Sequence, residues 1–120
     1  MEYEQLGVDA VLFGSYGIPE SFQVALSAHA AINCIWISAA TSAQEALKGP
    51  AGIIGPYRKW SSRSLEAEAT CFTITVLDRN DPAYEIPLQK ARRWLAEARL
   101  GDIYREEMVL DGRNKNRSDY

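Results

Sequence analysis

The chain has 120 residues, 47% of them hydrophobic and 24% charged. That length and balance place it among globular proteins with one core and exclude a disordered or multi-domain chain. A formal net charge of −3 argues against a general nucleic-acid binder. The charge is unevenly spread: residues 1–57 hold five acidic side chains and one basic, residues 58–120 eleven acidic and twelve basic. The charge-poor first half is therefore expected to supply most of the buried surface.

The start, Met1-Glu2-Tyr3-Glu4, is acidic where a signal peptide is basic. Residues 8–14 are apolar and read as a buried strand running into Gly14-Ser15-Tyr16-Gly17. Pro19 then suits a first helical position, and Phe22, Ala25, Leu26, His29 and Ala30 predict one apolar face on a helix over 19–32. The weakly polar run 24–40 is broken by Ser27, His29, Asn33 and Ser38, too short and too polar to span a bilayer. Asn33 ends the helix and a strand follows over 33–39. Thr41 to Gln44 has capping-box spacing before a short helix that stops at Gly49-Pro50. Residues 49–64 read as an inserted loop with room for one short strand.

Beyond the loop, Phe72, Ile74 and Val76 alternate with Cys71, Thr73 and Thr75, which predicts a strand over 68–78 with one face on the core. Pro82 and Pro87 bracket a helix start over 83–99. Its core stripe is Leu88, Ala91, Leu95 and Ala98, with Lys90, Arg92, Arg93 and Glu97 mostly outside it. A last strand is expected over 102–110. The tail 112–120 is polar and reads as flexible, leaving 1–111 as a single globular domain. The fold class is α+β: a four-stranded sheet with two main helices packed on one face, close to the split βαβ plan, with an inserted loop. A small three-layer α/β sheet is the alternative. Val11, Phe13, Leu26, Ile35, Phe72, Ile74, Val76, Leu88 and Leu95 are the expected core.

No catalytic set assembles from the sequence. Leu12-Phe13-Gly14-Ser15 resembles the start of the glycine-serine motif of nucleotidyltransferases. That chemistry needs paired carboxylates for metal a short way downstream, and residues 21–44 contain no Asp or Glu. The phosphate-loop and dinucleotide-binding spacings are also absent. A tight strand-to-helix turn with positive φ is the plainer account of Gly14 and Gly17. His29, the only histidine, reads as a structural residue on an apolar helix face. Ser15, His29 and Asp9 can be drawn as a triad, but no nucleophile elbow supports it. No metal site and no cofactor are expected. Cys34 and Cys71 both fall inside apparent strands and read as buried reduced thiols of a cytoplasmic protein, with a cross-strand disulfide as the minority alternative.

Two functional readings follow. The first is a non-catalytic assembly or adaptor subunit whose partners are other protein subunits, as a homo-oligomer or within a larger particle. Its surface would be Tyr57, Arg58, Lys59, Trp60 and Arg63, with Arg113, Lys115 and Arg117 of the tail; Tyr, Arg and Trp are types enriched at interfaces. Interleaved cations and aromatics also suit single-stranded nucleic acid, a reading the acidic total disfavours. The second is a small-molecule or phosphate-binding enzyme. There Gly14, Ser15, Tyr16 and Gly17 would form the site, with backbone N–H groups of the helix start beside them.

Overall fold

A computed structural model of the chain describes residues 6–64 and 72–100. It has the α+β arrangement: a four-stranded mixed sheet with two helices. Strand β1, Ala10–Gly14, leads into helix α1, Glu20–Ile32, and back into strand β2, Trp36–Ala40. β2 lies parallel to β1, with Val11 opposite Ile37. A single 3₁₀ turn at Ala43–Glu45 follows, then β3, Gly52–Ile54, and β4, Trp60–Arg63. Both later pairings are antiparallel, so the spatial order is β1-β2-β3-β4.

The expected loop at 49–64 is thus a β-hairpin. Gly55 accepts from the Arg58 N–H at 3.0 Å across a turn with Pro56 in its second position. Arg58 then takes φ 65° to re-enter the strand, and the Gly55 N–H donates to Lys59 O at 2.7 Å. This is a three-residue hairpin loop with Arg at the left-handed position where Gly or Asn is usual. Gly52 is obligatory in β3, because a Cβ there would stand 2.5 Å from Ser62 O and 2.6 Å from the Trp60 ring.

The core forms where α1 crosses β2 and β3. Ala30, Ile35, Ile37 and Ile54 are buried together, with Val11, Leu26 and Trp60 packed at their margin. The turn that delivers β2 to α1 is a Schellman closure. Ile35 N–H reaches back to Ala30 O at 3.0 Å and Cys34 N–H to Ala31 O at 3.3 Å. Cys34 is held at φ 52°, so it ends the helix and precedes the strand instead of lying inside it. Asn33 is buried, and its side-chain N–H donates to His29 O at 2.9 Å.

The buried stripe of α1 differs from the apolar one read in the sequence. Gln23, Ser27 and Ala30 face inward, while Phe22 and Val24 are exposed. His29 is exposed as well, not packed among alanines. Gln23 tolerates burial because its amide is satisfied: Nε2 donates to Pro50 O at 2.8 Å and Oε1 accepts from Arg63 Nη2 at 3.2 Å.

The second helical segment starts as the prolines predict. Asp81 caps it, accepting from Ala83 N–H at 2.9 Å, and a 3₁₀ turn runs over Pro82–Tyr84. Pro87 has no N–H to give to the carbonyl four residues back, and Glu85–Ala91 widens into a π-helix before α2, Arg92–Leu100. Leu88 is buried and Leu95 half-buried, but Ala98 is exposed. Arg92 lies inside the packing and not on the outer face. Its Nε donates to Cys34 O at 3.0 Å, Nη2 to Val8 O at 2.9 Å, and Nη1 to Asp9 Oδ1. Tyr84 meets Trp36 edge-on at 5.3 Å between ring centroids. The segment therefore docks at the starts of the two parallel strands and on Trp36, which alternates along β2 with core Ile37.

Three expected core residues lie elsewhere. Phe72, Ile74 and Val76 are 84%, 78% and 84% exposed. Residues 72–78 carry no strand pairing among the described residues; β2 has β1 on one side and β3 of the hairpin on the other. Phe13 is also partly exposed, since β1 has β2 as its one strand neighbour among the described residues. The expected strand over 102–110, the tail 112–120, Cys71 and the start of the 68–78 strand lie outside the described residues. Truncating Ile54→Ala should cost about 2–5 kcal/mol, the usual loss for a large buried side chain. Ile74→Ala should change stability by no more than about 0.5 kcal/mol. Urea unfolding of both variants at high dilution checks the pair.

Candidate functional site

The turn at 14–19 lies at the carboxyl end of β1, beside the carboxyl end of β2. Two loops meet there. Ser15 N–H donates to Ala40 O at 3.0 Å, and Ser42 Oγ donates to Tyr16 O at 2.9 Å. Tyr16 O–H donates to Gln44 Oε1 at 3.0 Å. Thr41 Oγ1 donates to Gly49 O at 3.1 Å, closing the second loop on itself. Neither Gly14 nor Gly17 takes the positive φ expected of it. Gly17 lies close against the next loop: a Cβ there would stand 3.0 Å from Glu45 Cγ, so the Glu45 side chain would have to give way.

This junction opens two depressions. One of about 250 Å³ is apolar, lined by Phe13, Ser15, Ile18, Pro19, Phe22 and Leu26 among others. The other, about 400 Å³, is lined by Ser15, Tyr16, Gly17, Pro19, Glu45 and Lys48. Tyr16 is 72% exposed, with its ring over open solvent. Glu45 and Lys48, which the sequence reading did not attach to this turn, enter it as an ion pair of 2.7 Å. The hydrogen bond that Lys48 donates to Glu45, then the Glu45 charge, holds the pKa of the Lys48 ammonium above its ordinary value. A cation already neutralised by a carboxylate adds little attraction for phosphate. Their three-residue spacing was the local signal for the pair. Nothing local showed that it would come to rest against Gly17.

The proposed interaction residues separate into two groups. Tyr57, Arg58 and Lys59 stand exposed at the tip of the β3–β4 hairpin. Trp60 packs against the core margin, and Arg63 lies over its ring at 4.8 Å while holding Gln23. Tyr57 stacks on Tyr84 at 6.2 Å, which ties the hairpin tip to the second helical segment. Arg113, Lys115 and Arg117 lie outside the described residues. The triad drawn from Ser15, His29 and Asp9 fails on chemistry, since both Asp9 oxygens are taken by Arg79 and Arg92. Among the described residues, no three His, Cys, Asp or Glu side chains converge as a metal site would need. No helix among them is long and apolar enough to cross a membrane.

The largest feature with no internal use is the row Phe72, Ile74 and Val76. Exposure alternates along the segment: Phe72, Ile74 and Val76 are exposed while Thr73 and Thr75 between them are half-buried. No family model, curated protein or solved structure matches this chain significantly.

The loop junction depends on Gly49, whose ideal Cβ position lies 1.8 Å from Ile18 O and 2.9 Å from Gln23 Nε2. The backbone carbonyl cannot swing aside as a side chain can. Gly49→Ala should therefore destabilise the fold by about 1–3 kcal/mol, the usual cost of overpacking, measured by thermal unfolding.

Proposed function

We propose that the chain is a non-catalytic assembly or adaptor subunit that works through protein–protein contacts, as a structural component of a larger particle. The observation that carries this reading is the exposed row Phe72, Ile74 and Val76. Single apolar side chains at a surface are ordinary, but three large ones aligned on one extended segment are an association surface. Leaving them in water forfeits the burial that such side chains give when covered, about 1.5–3 kcal/mol each. Tyr57, Arg58 and Lys59 at the hairpin tip add the residue types that rim interfaces. The partners are other protein subunits, as a homo-oligomer or a larger complex, in a cytoplasmic setting.

The test is the native mass in solution of the full chain against a Phe72→Ser, Ile74→Thr, Val76→Thr variant. The parent should run as an oligomer or stable complex and the variant as a smaller species, with thermal unfolding of the dilute proteins nearly equal. A parent that is strictly monomeric and recovers no partner from its native lysate would overturn the proposal.

The second reading, a ligand-binding enzyme at Gly14, Ser15, Tyr16 and Gly17, is favoured by one observation: the open depression over an exposed Tyr16. Under it, a nucleotide or sugar phosphate at a hundredfold excess over its dissociation constant should add about 2.7 kcal/mol of stability. A thermal-shift screen checks this, and Tyr16→Ala should abolish any shift found.

A further inference from the structure

We infer that residues 72–77 form an arm that adds as a strand to the open edge of β1 in a second copy of this chain. The inference rests on the assembly reading above and names both the partner and the mode of contact.

Two features of the molecule need the same thing. The arm, Phe72-Thr73-Ile74-Thr75-Val76-Leu77, is uncharged, free of proline and glycine, and rich in β-branched residues. It has no strand partner among the described residues. β1 is the outermost described strand on its side of the sheet. Its sequence, Ala10-Val11-Leu12-Phe13-Gly14, carries no charge and no proline, and Leu12 is 84% exposed. Outer strands normally carry a lysine, a proline or a bulge that discourages pairing. β4, at the opposite side, follows that rule: it holds Arg63 and meets β3 through an irregular register between Ile53 and Ile54. β1 has none of these devices. Among the described residues, an edge with no strand beside it and an arm with no strand partner match each other.

The arm's position favours exchange. Arg79, just past the arm, is ion-paired to Asp9 at 3.2 Å, and Asp9 directly precedes β1. The Asp78 side chain accepts from Asn80 N–H at 2.8 Å, turning the chain at that point. The base of the arm is thus tied beside the start of the same edge it would occupy in a neighbour. Two copies approaching edge to edge can lend arms reciprocally, and such a two-fold contact uses each feature once and closes at the dimer. At about 3.3 Å per residue, six arm residues match the five of β1 in length.

The experiment combines light-scattering mass over a dilution series with hydrogen exchange of the full-length chain. The parent should be a dimer in which β1 amides pointing away from β2 exchange slowly, and dilution should lower the mass and speed that exchange together. Thr75→Pro removes a ladder N–H and should raise the dimer dissociation constant at least tenfold. Leu12→Lys, which charges the acceptor edge and leaves the arm intact, should do the same if the proline variant misfolds. A monomeric parent whose β1 amides are slow at every concentration would mean that the arm folds onto its own edge, and overturns the inference. So would a monomer with fast β1 exchange. A dimer of unchanged affinity in both variants would overturn strand exchange while leaving the assembly reading in place.

Discussion

The reversal at Asn33-Cys34-Ile35 is the constraint on which the remainder of the structure depends. It turns α1 back into β2 within three residues and brings Ala30 against Ile35, both without solvent contact. The two backward hydrogen bonds to Ala30 and Ala31 fix the angle of departure. From that angle β2 enters the sheet between β1 and β3, and Ile37 falls opposite Ile54 under the helix. Cys34 holds a backbone conformation that costs a non-glycine residue roughly 1 kcal/mol or more, offset by burial of the side chain and by the closure itself.

The same turn anchors the second helical segment. The carbonyl of Cys34 accepts from Arg92, whose fork also takes Val8 O and an Asp9 oxygen. One guanidinium thus joins the starts of β1 and β2 to the first turn of α2. Arginine suits this role because its planar donors meet three acceptors at once. Asp9 is then shared with Arg79, so the chain leaving the arm and the chain entering α2 converge on one carboxylate. The pair is only partly buried, so its value lies more in positioning than in net stability.

At the other end of the parallel strands the chemistry is quiet. Hydroxyls, a neutralised lysine and a small apolar depression surround the 14–19 turn, and its polar groups mostly bind the neighbouring loop. The pronounced departure from a self-sufficient surface is instead at the starts of the strands and along the arm.

Much of the first half was legible in the sequence, because its elements are decided locally. The apolar run into Gly14, Pro19 before a helix and Asn33 at its end each act within a few residues, as does Pro82 at the next helical start in the second half. The α+β class followed from their order. What local pattern did not decide was partnership. Alternation marked 72–76 as strand-like but could not say whether a neighbour was available. The hairpin 52–63 supplies β3 on the side of β2 away from β1, and Gly52 lets β3 lie close against Ser62 and Trp60 of β4. Periodicity put Phe22 and His29 on the inward face of α1, yet tertiary hydrogen bonds to Pro50 and Arg63 drew Gln23 inside instead. Arg92 read as a solvated charge until folding set three oxygens, from residues over eighty and nearly sixty positions away, within its reach. The sequence by itself determined where the chain turns and which segments take regular structure. Only the tertiary structure decided which faces are buried, since burial depends on what lies opposite, and that partner is remote in the chain.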